Sequence, residues 1–479
     1  MDPSFLPAWR LAELTRGGEI GCLELLEHFI ARTERLDGAL NAVVVRDFAR
    51  ARARARQLDQ GPRTGPLFGV PMTVKESFDL AGQPSTWGFA DRRGHKAGED
   101  ALAVQRLEAA GAVVFGKTNV PVALADWQSY NPVYGTTVNP WNAAHTPGGS
   151  SGGSAAAIAA GLSALEIGSD IGGSIRVPAH FCGLFGHKPT WMLCPGRGHS
   201  LVAGSASGSD LAAIGPIARS ARDLALALDA IAGPDPVDSD LAITLPPPRA
   251  TTLRGLRVAV WAEQPGQVTD AETVALIRET ARRLAAGGAQ VSETARPDFD
   301  VTEAWHLYLK LLDAAWTARM PPAAFAERLG FKTTLAADDM TAGAVMLRAT
   351  GMTHREWLSL NERRHQLRRS WGRFFRDWDV LLCPAFATPA LPLMESEPYW
   401  DRVVDVGGTK VRYDDLVFWP GVIGVALLPA STAPIGMSAS GLPIGVQIVG
   451  PLYGDRTTIA AAACIEQVCG GFTPPPGWA

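Results

Sequence analysis

Apolar positions recur at helical spacing near the start of the chain, in Leu23, Leu25, Leu26, Phe29 and Ile30, and an Ala/Arg alternation follows at Arg50, Arg52, Arg54 and Arg56. This period predicts an N-terminal helical layer over residues 1–60. The pattern then changes. Leu67–Val74 is a short apolar run ending at Lys75 and reads as a buried strand, residues 101–110 read as a helix, and Ala112–Phe115 read as a second strand. A strand, a helix and another strand in succession predict a parallel pairing. The same unit recurs at Leu256–Val260, an amphipathic helix over 272–286 and a strand near Gln290. Between the two units, SAAAIAAGLSALEIGSDIGGS predicts a small-residue helix, a strand and a glycine turn. Residues 304–378 are helical in pattern and rich in aromatic side chains, after which Asp379–Cys383 and Gly445–Val449 return as short apolar strands.

These elements predict an α/β protein: one large α/β/α sandwich over residues 1–479 whose mixed, mainly parallel central sheet is covered by helices. Residues 61–200 would form the core that carries the chemistry, and 304–378 a helical insertion beside it. Residues 416–454 hold no charged side chain, a stretch longer than a bilayer requires. Pro420, Pro429, Pro434 and Pro443 would break any helix there, so the stretch reads as buried strands and turns, not a membrane span.

Apolar residues make up 47% of the chain and charged residues 19%, the balance of a folded globular protein. Lys and Arg number 44 against 48 Asp and Glu, a net charge of -4 that leaves no basic footprint for nucleic acid. The Ala/Arg alternation is expected to be a solvated helix face. The six cysteines show neither metal-ligand nor disulfide-framework spacing, and the N-terminus lacks a secretory cleavage pattern; the expectation is a reduced, cytoplasmic protein without a metal.

Three segments carry chemistry: TVKE at 73–76, PGGSSGGS at 147–154 and GSDIGGSIRVPAHFCGLFGHKPT at 168–190. Glycine turns leave backbone N–H groups free to face an anion, either an oxyanion or a phosphate. The Gly-Lys-Ser/Thr ending of a phosphate loop is absent from both glycine segments, and no G-x-G-x-x-G joins a strand to a helix. GGSSG fits the G-x-S-x-G elbow in letters, but its approach contains Pro140 and Pro147 where that elbow needs a buried strand. His180 is the nearest histidine to Ser174 and is expected to be structural. Asp170 and Arg176 are expected to form an ion pair that holds the glycine turn, and Glu76 to face away from Lys75 if the segment is extended.

In this order and with these motifs, Gly69–Thr190 resembles the amidase signature family, and LPIGVQIVGP at 442–451 extends the similarity over most of the chain. The resemblance implies Ser174 as nucleophile, Ser150 as bridging serine, Lys75 as terminal base, and the N–H groups of Ile171, Gly172, Gly173 and Ser174 as the oxyanion hole. It also implies a cis peptide between Gly149 and Ser150 and no cofactor. The chemistry is coherent by itself. A serine hydroxyl needs a base, a lysine is a base only when neutral, and burial makes it so. Implied substrates are small hydrophobic or aryl amides, anilides or carbamates (urethanes), with Trp127, Tyr130, Tyr134, Trp191, Trp305 and Trp316 as pocket candidates. Ile171 and Val177 depart from the Thr and Gln of the family's amidotransferase subunits, which favours a stand-alone hydrolase, monomeric or homodimeric. An amidotransferase subunit within a multi-chain complex, and a non-catalytic binding protein on the same fold, remain as alternatives.

Overall fold

The computed structural model describes residues 2–202 and 204–478. Helices α1 (Ala8–Gly17), α2 (Cys22–Leu36) and α3 (Phe48–Gln60) surround a short strand, β1 (Val43–Arg46). Helix α2 buries Leu25, Leu26, Phe29 and Ile30 on one face, the stripe its spacing predicts. The α3 arginines are held by carboxylates: Arg50 by Asp100 and Glu108, Arg52 by Glu27. The alternation is thus an ion-paired helix face.

Strand β2 (Pro71–Lys75) runs parallel to β3 (Val113–Thr118) across helix α4 (Leu102–Ala109). It starts later than the apolar run because Gly69, at φ 73°, turns the chain first. The chain continues through α5 (Gly152–Ala159), β4 (Glu166–Asp170), α6 (Arg176–Cys182), β5 (Phe185–Lys188), β6 (Ala213–Ala218) and α7 (Ala221–Ile231). Next come β7 (Arg257–Val260), α8 (Ala271–Ala286) and β8 (Gln290–Ser292), then four helices: α9 (Val301–Thr317), α10 (Pro322–Lys332), α11 (Ala342–Ala349) and α12 (His354–Asp377). Strand β9 (Val380–Pro384), helix α13 (Phe418–Gly424), strands β10 (Ala430–Met437) and β11 (Pro443–Val449), and helix α14 (Asp455–Cys469) complete the fold.

Eight strands form one mixed sheet in the order β8-β7-β9-β11-β10-β5-β6-β4, and the three-stranded sheet β1-β3-β2 lies against its β4 edge. The α/β class is as expected, but the sheet is not mainly parallel: β8-β7 and β7-β9 are parallel, and the other five pairings are antiparallel. A parallel pair needs a long crossover: α8 supplies it between β7 and β8, and β9 comes beside β7 only after β8 and the helices α9–α12. In the centre, residues 438–442 return the chain directly between β10 and β11, and a long loop over 189–212 joins β5 to β6.

Strand periodicity splits the core between two faces. Val258, Val260, Val380, Leu382, Val446 and Ile448 point into one cluster with residues of α1, α2, α7 and α8. Ala259, Leu381, Cys383 and Val449 point into the other, which is filled by aromatics of α9, α12 and α13. The uncharged stretch over 416–454 holds helix α13 as well as strands and turns; Pro420 is accepted there because it lies in the first helical turn, where no N–H partner is needed. Among the described residues no helix is long and apolar enough to cross a membrane.

Candidate active site

Lys75 ends β2, all five of whose residues are buried, and its side chain is fully sealed from solvent. Its Nζ donates to Ser150 Oγ at 2.7 Å and to Ser169 Oγ, on β4, at 3.0 Å. Burial lowers the amine to about 7 from its ordinary 10.5, while Asp170 and Glu166 pull the other way. A large fraction of this lysine is therefore neutral near pH 7. Glu76 turns away as the extended backbone requires, accepting the N–H groups of Thr86 and Trp87 at 2.6 and 3.0 Å.

Ser150 sits in a loop packed too tightly for side chains. A Cβ on Gly149 would lie 2.3 Å from the Asp126 carbonyl oxygen, and one on Gly153 2.4 Å from the Asn119 nitrogen. The Gly149–Ser150 peptide is cis. The loop is tied to the next motif by the Ser151 N–H, which donates to the Ser174 carbonyl at 3.3 Å. Ser150 and Ser174 are both nearly buried, at 1% and 5% exposure.

The turn carrying Ser174 is organised by a buried charge pair. Arg176 grips Asp170 with two bonds, Nη2 to Oδ1 at 2.7 Å and Nε to Oδ2 at 2.9 Å. Burial pushes the Asp170 carboxyl up, but the guanidinium and the hydrogen bonds outweigh it and hold the group well below the usual carboxylate range. Asp170 also accepts the N–H groups of Gly173 and Ile175, at 2.8 and 3.1 Å. The Gly173 N–H, expected as an oxyanion donor, is thus already engaged. Among the described residues the N–H groups of Ile171, Gly172 and Ser174 have no partner.

Two aromatic side chains fix the outer side of this turn. Tyr308 of α9 donates its hydroxyl to the Ile171 carbonyl at 3.1 Å, and Trp127 donates Nε1 to the Gly172 carbonyl at 3.1 Å. A planar trans peptide points its C=O and N–H in opposite directions, so anchoring the Ile171 carbonyl turns the Gly172 N–H the other way. Trp305 stacks on Tyr308 with ring centroids 6.0 Å apart. Of the pocket candidates, Trp127 and Trp305 therefore border the glycine turn. The others bond elsewhere: Tyr130 accepts from Arg402, Tyr134 donates to Glu76, Trp191 donates to the Ser209 carbonyl, and Trp316 lies under Arg328. Tyr308 was not among the candidates, although it is one helical turn from Trp305 and shares its face.

The histidines sit in structural roles. His180 bridges the Gly445 backbone and the Thr388 carbonyl, and burial lowers it to about 4. His187 lies between Ser431 at 2.9 Å and Asp455 at 3.2 Å, the letters of a serine triad, but all three side chains are fully buried with no route for a substrate. Among the described residues, no group of three or more His, Cys, Asp or Glu side chains is placed to hold a metal ion.

The profile of the Amidase family matches residues 24–459. This chain belongs to the amidase family. Similar amidases include a glutamyl-tRNA(Gln) amidotransferase subunit of Synechococcus sp. (strain CC9605), 33% identical over 98% of this chain and 97% of that protein. The indoleacetamide hydrolase of Bradyrhizobium diazoefficiens is 31% identical over 97% of this chain and 87% of its own. The solved structure of 6-aminohexanoate cyclic dimer hydrolase superposes with a TM-score of 0.80 at 31% identity, covering 97% of both chains.

Proposed function

We propose that this amidase is a stand-alone hydrolase that cleaves the C–N bond of hydrophobic or aryl amides, anilides or carbamates through an acyl-enzyme on Ser174. The observation that carries the reading is the sealed Lys75, its amine lowered by burial, 2.7 Å from Ser150 Oγ, in a loop bonded to the Ser174 backbone. Ser174 Oγ attacks the carbonyl carbon as its proton passes to Ser150, and the Ser150 proton passes to Lys75. The oxyanion is met by the N–H groups of Ile171, Gly172 and Ser174. Collapse returns the proton through Ser150 to the departing amine, and water then releases the acyl group. The single domain over 1–479 brings α9, from the helical stretch at 304–378, against this turn, where Tyr308, Trp305 and Trp127 favour an apolar or aromatic substrate.

A second reading, an amidotransferase subunit that works in a multi-chain complex, is favoured by the relative at 33% identity. The indoleacetamide hydrolase at 31% is nearly as similar, so identity alone does not separate the two. Ile171 and Val177, where amidotransferase subunits resemble one another in having Thr and Gln, support the hydrolase.

The test has two parts. Fluorophosphonate labelling read by peptide mass spectrometry is expected to modify Ser174, to vanish in Ser174→Ala, and to weaken in Ser150→Ala and Lys75→Ala. A panel of anilides, primary amides, carbamates and glutamine then separates the readings: turnover of aryl amides supports the hydrolase, and turnover of glutamine alone sinks it.

A further inference from the structure

Glu166 is a fully buried carboxyl on β4 that the relay above does not use. It accepts the Thr118 hydroxyl at 2.8 Å and the Ile167 N–H at 2.9 Å. Thr118 in turn shares a hydrogen bond of 2.9 Å with Ser154, on the first turn of α5 just beyond the Ser150 loop. In the β2-β3 ladder, Thr118 is the register partner of Lys75, so their side chains stand on one face. Glu166 is also three residues before Ser169, the other acceptor of the Lys75 amine. A buried carboxyl is thus bonded to the register neighbour of the buried lysine, and the described residues give it no ion pair.

We propose that Glu166 is a positioning residue for Lys75, its carboxylate serving as the counter-charge for the ammonium that forms when Lys75 takes the relayed proton. No bond to Glu166 forms or breaks. The proton moves from Ser150 to Lys75 and back, and Glu166 lowers the cost of the charged state at a site sealed from solvent. Burial raises the Glu166 carboxyl to about 7, and its charge favours the ammonium form of Lys75.

The other charged groups around this compartment are engaged. Asp170 on β4 is neutralised by Arg176 of α6. Glu76, following β2, is held by the Thr86 and Trp87 amides, and Lys117 on β3 turns to Ser85 and the Pro84 carbonyl. Arg219, following β6, bonds to the carbonyls of Leu6, Ile158 and Ser163. His199, in the loop after β5, bonds to Ser77, and burial together with the nearby Lys75 lowers it to about 3, so it stays neutral in the working range. Asp170 and Glu166 both favour the charged form of Lys75, and of the two only Glu166 has no ion pair among the described residues.

The inference rests on Lys75 being the relay base, and the experiment separates the two. The rate of fluorophosphonate labelling at Ser174 is followed against pH in the wild type, Glu166→Gln, Glu166→Asp, Thr118→Val and Lys75→Met. Losing the negative charge makes Lys75 easier to deprotonate and a weaker base. Glu166→Gln is therefore expected to move the acid limb down by about one pH unit and lower the plateau severalfold, with Glu166→Asp restoring most of the limb. Should Glu166→Gln fail to fold, Thr118→Val, which removes a bond favouring the ionised carboxyl, is expected to move the limb in the same direction by less. An unmoved limb in the folded variants, with Lys75→Met inactive, overturns the role of Glu166. Wild-type labelling by Lys75→Met overturns the relay instead.

Discussion

Replacing Lys75 by methionine is expected to abolish activity and, near neutral pH, to stabilise the fold. In the unfolded chain the amine titrates at its ordinary 10.5, and in the fold at about 7 because burial disfavours its charge. The unfolded state then binds the proton more tightly. No stability is lost above pH 10.5, the loss grows as pH falls from 10.5 to about 7, and it is constant below. At about 1.4 kcal/mol per pH unit this amounts to ~3 kcal/mol at pH 8 and ~4 kcal/mol at pH 7. Methionine keeps a long unbranched side chain but forfeits the bonds to Ser150 and Ser169, about 1 kcal/mol each. The net gain is then ~1 kcal/mol at pH 8 and ~2 kcal/mol at pH 7, it changes sign near pH 9, and at pH 10 the methionine variant is weaker by ~1 kcal/mol. Urea unfolding midpoints of both proteins at pH 7, 8 and 10 read this directly. A difference that does not vary with pH, or a methionine variant weaker at pH 7, would refute the reasoning.

Arg176→Met leaves the Asp170 carboxylate buried without its cation and is expected to cost ~3–5 kcal/mol, read as a fall in the thermal midpoint. Tyr308→Phe removes the hydroxyl that anchors the Ile171 carbonyl; turnover of an anilide should drop about tenfold, equivalent to ~1.4 kcal/mol in the barrier, with an unchanged circular dichroism spectrum. Gly149→Ala puts a Cβ 2.3 Å from the Asp126 carbonyl, backbone that cannot swing aside, and the variant should be recovered unfolded or with a markedly lower midpoint.

Local patterns carried much of the fold. The amphipathic period over 272–286 became α8 (Ala271–Ala286), and the apolar run Asp379–Cys383 became β9 shifted by one residue. Such elements are set by burial along one face, which a periodic sequence records directly. Strand direction is not recorded that way. It depends on whether a connection crosses over or turns back, and the expectation of a mainly parallel sheet extended the pairing found at β2-β3 and β7-β8 to central strands whose links are a tight turn and a loop. The pocket candidates divide, with Trp127 and Trp305 beside the glycine turn and the others elsewhere, for a related reason. Apolar spacing says neither how deeply an aromatic side chain is buried nor against what, so Trp316 and Trp191, both half-buried, look like the buried Trp127 in sequence and differ from it in depth and partners. The i, i+3 relation of Trp305 and Tyr308 was a usable signal, since one residue on a helix face brings the other with it.

The candidate relay was legible because its parts tolerate so little. Lys75, Ser150 and Ser174 come from a strand end and two turns far apart in sequence, and each turn is filled with small residues for a steric reason. The Cβ distances at Gly149 and Gly153 show neighbouring backbone where a side chain would go. Only glycine allows that approach, and close packing of this kind keeps Lys75 out of solvent, where its charge is disfavoured. Dense packing and the chemistry of the base are therefore one requirement. Glu166, buried and without an ion pair among the described residues, forms no hydrogen bond with Ser150 or Ser174 and acts on them only through the charge on Lys75.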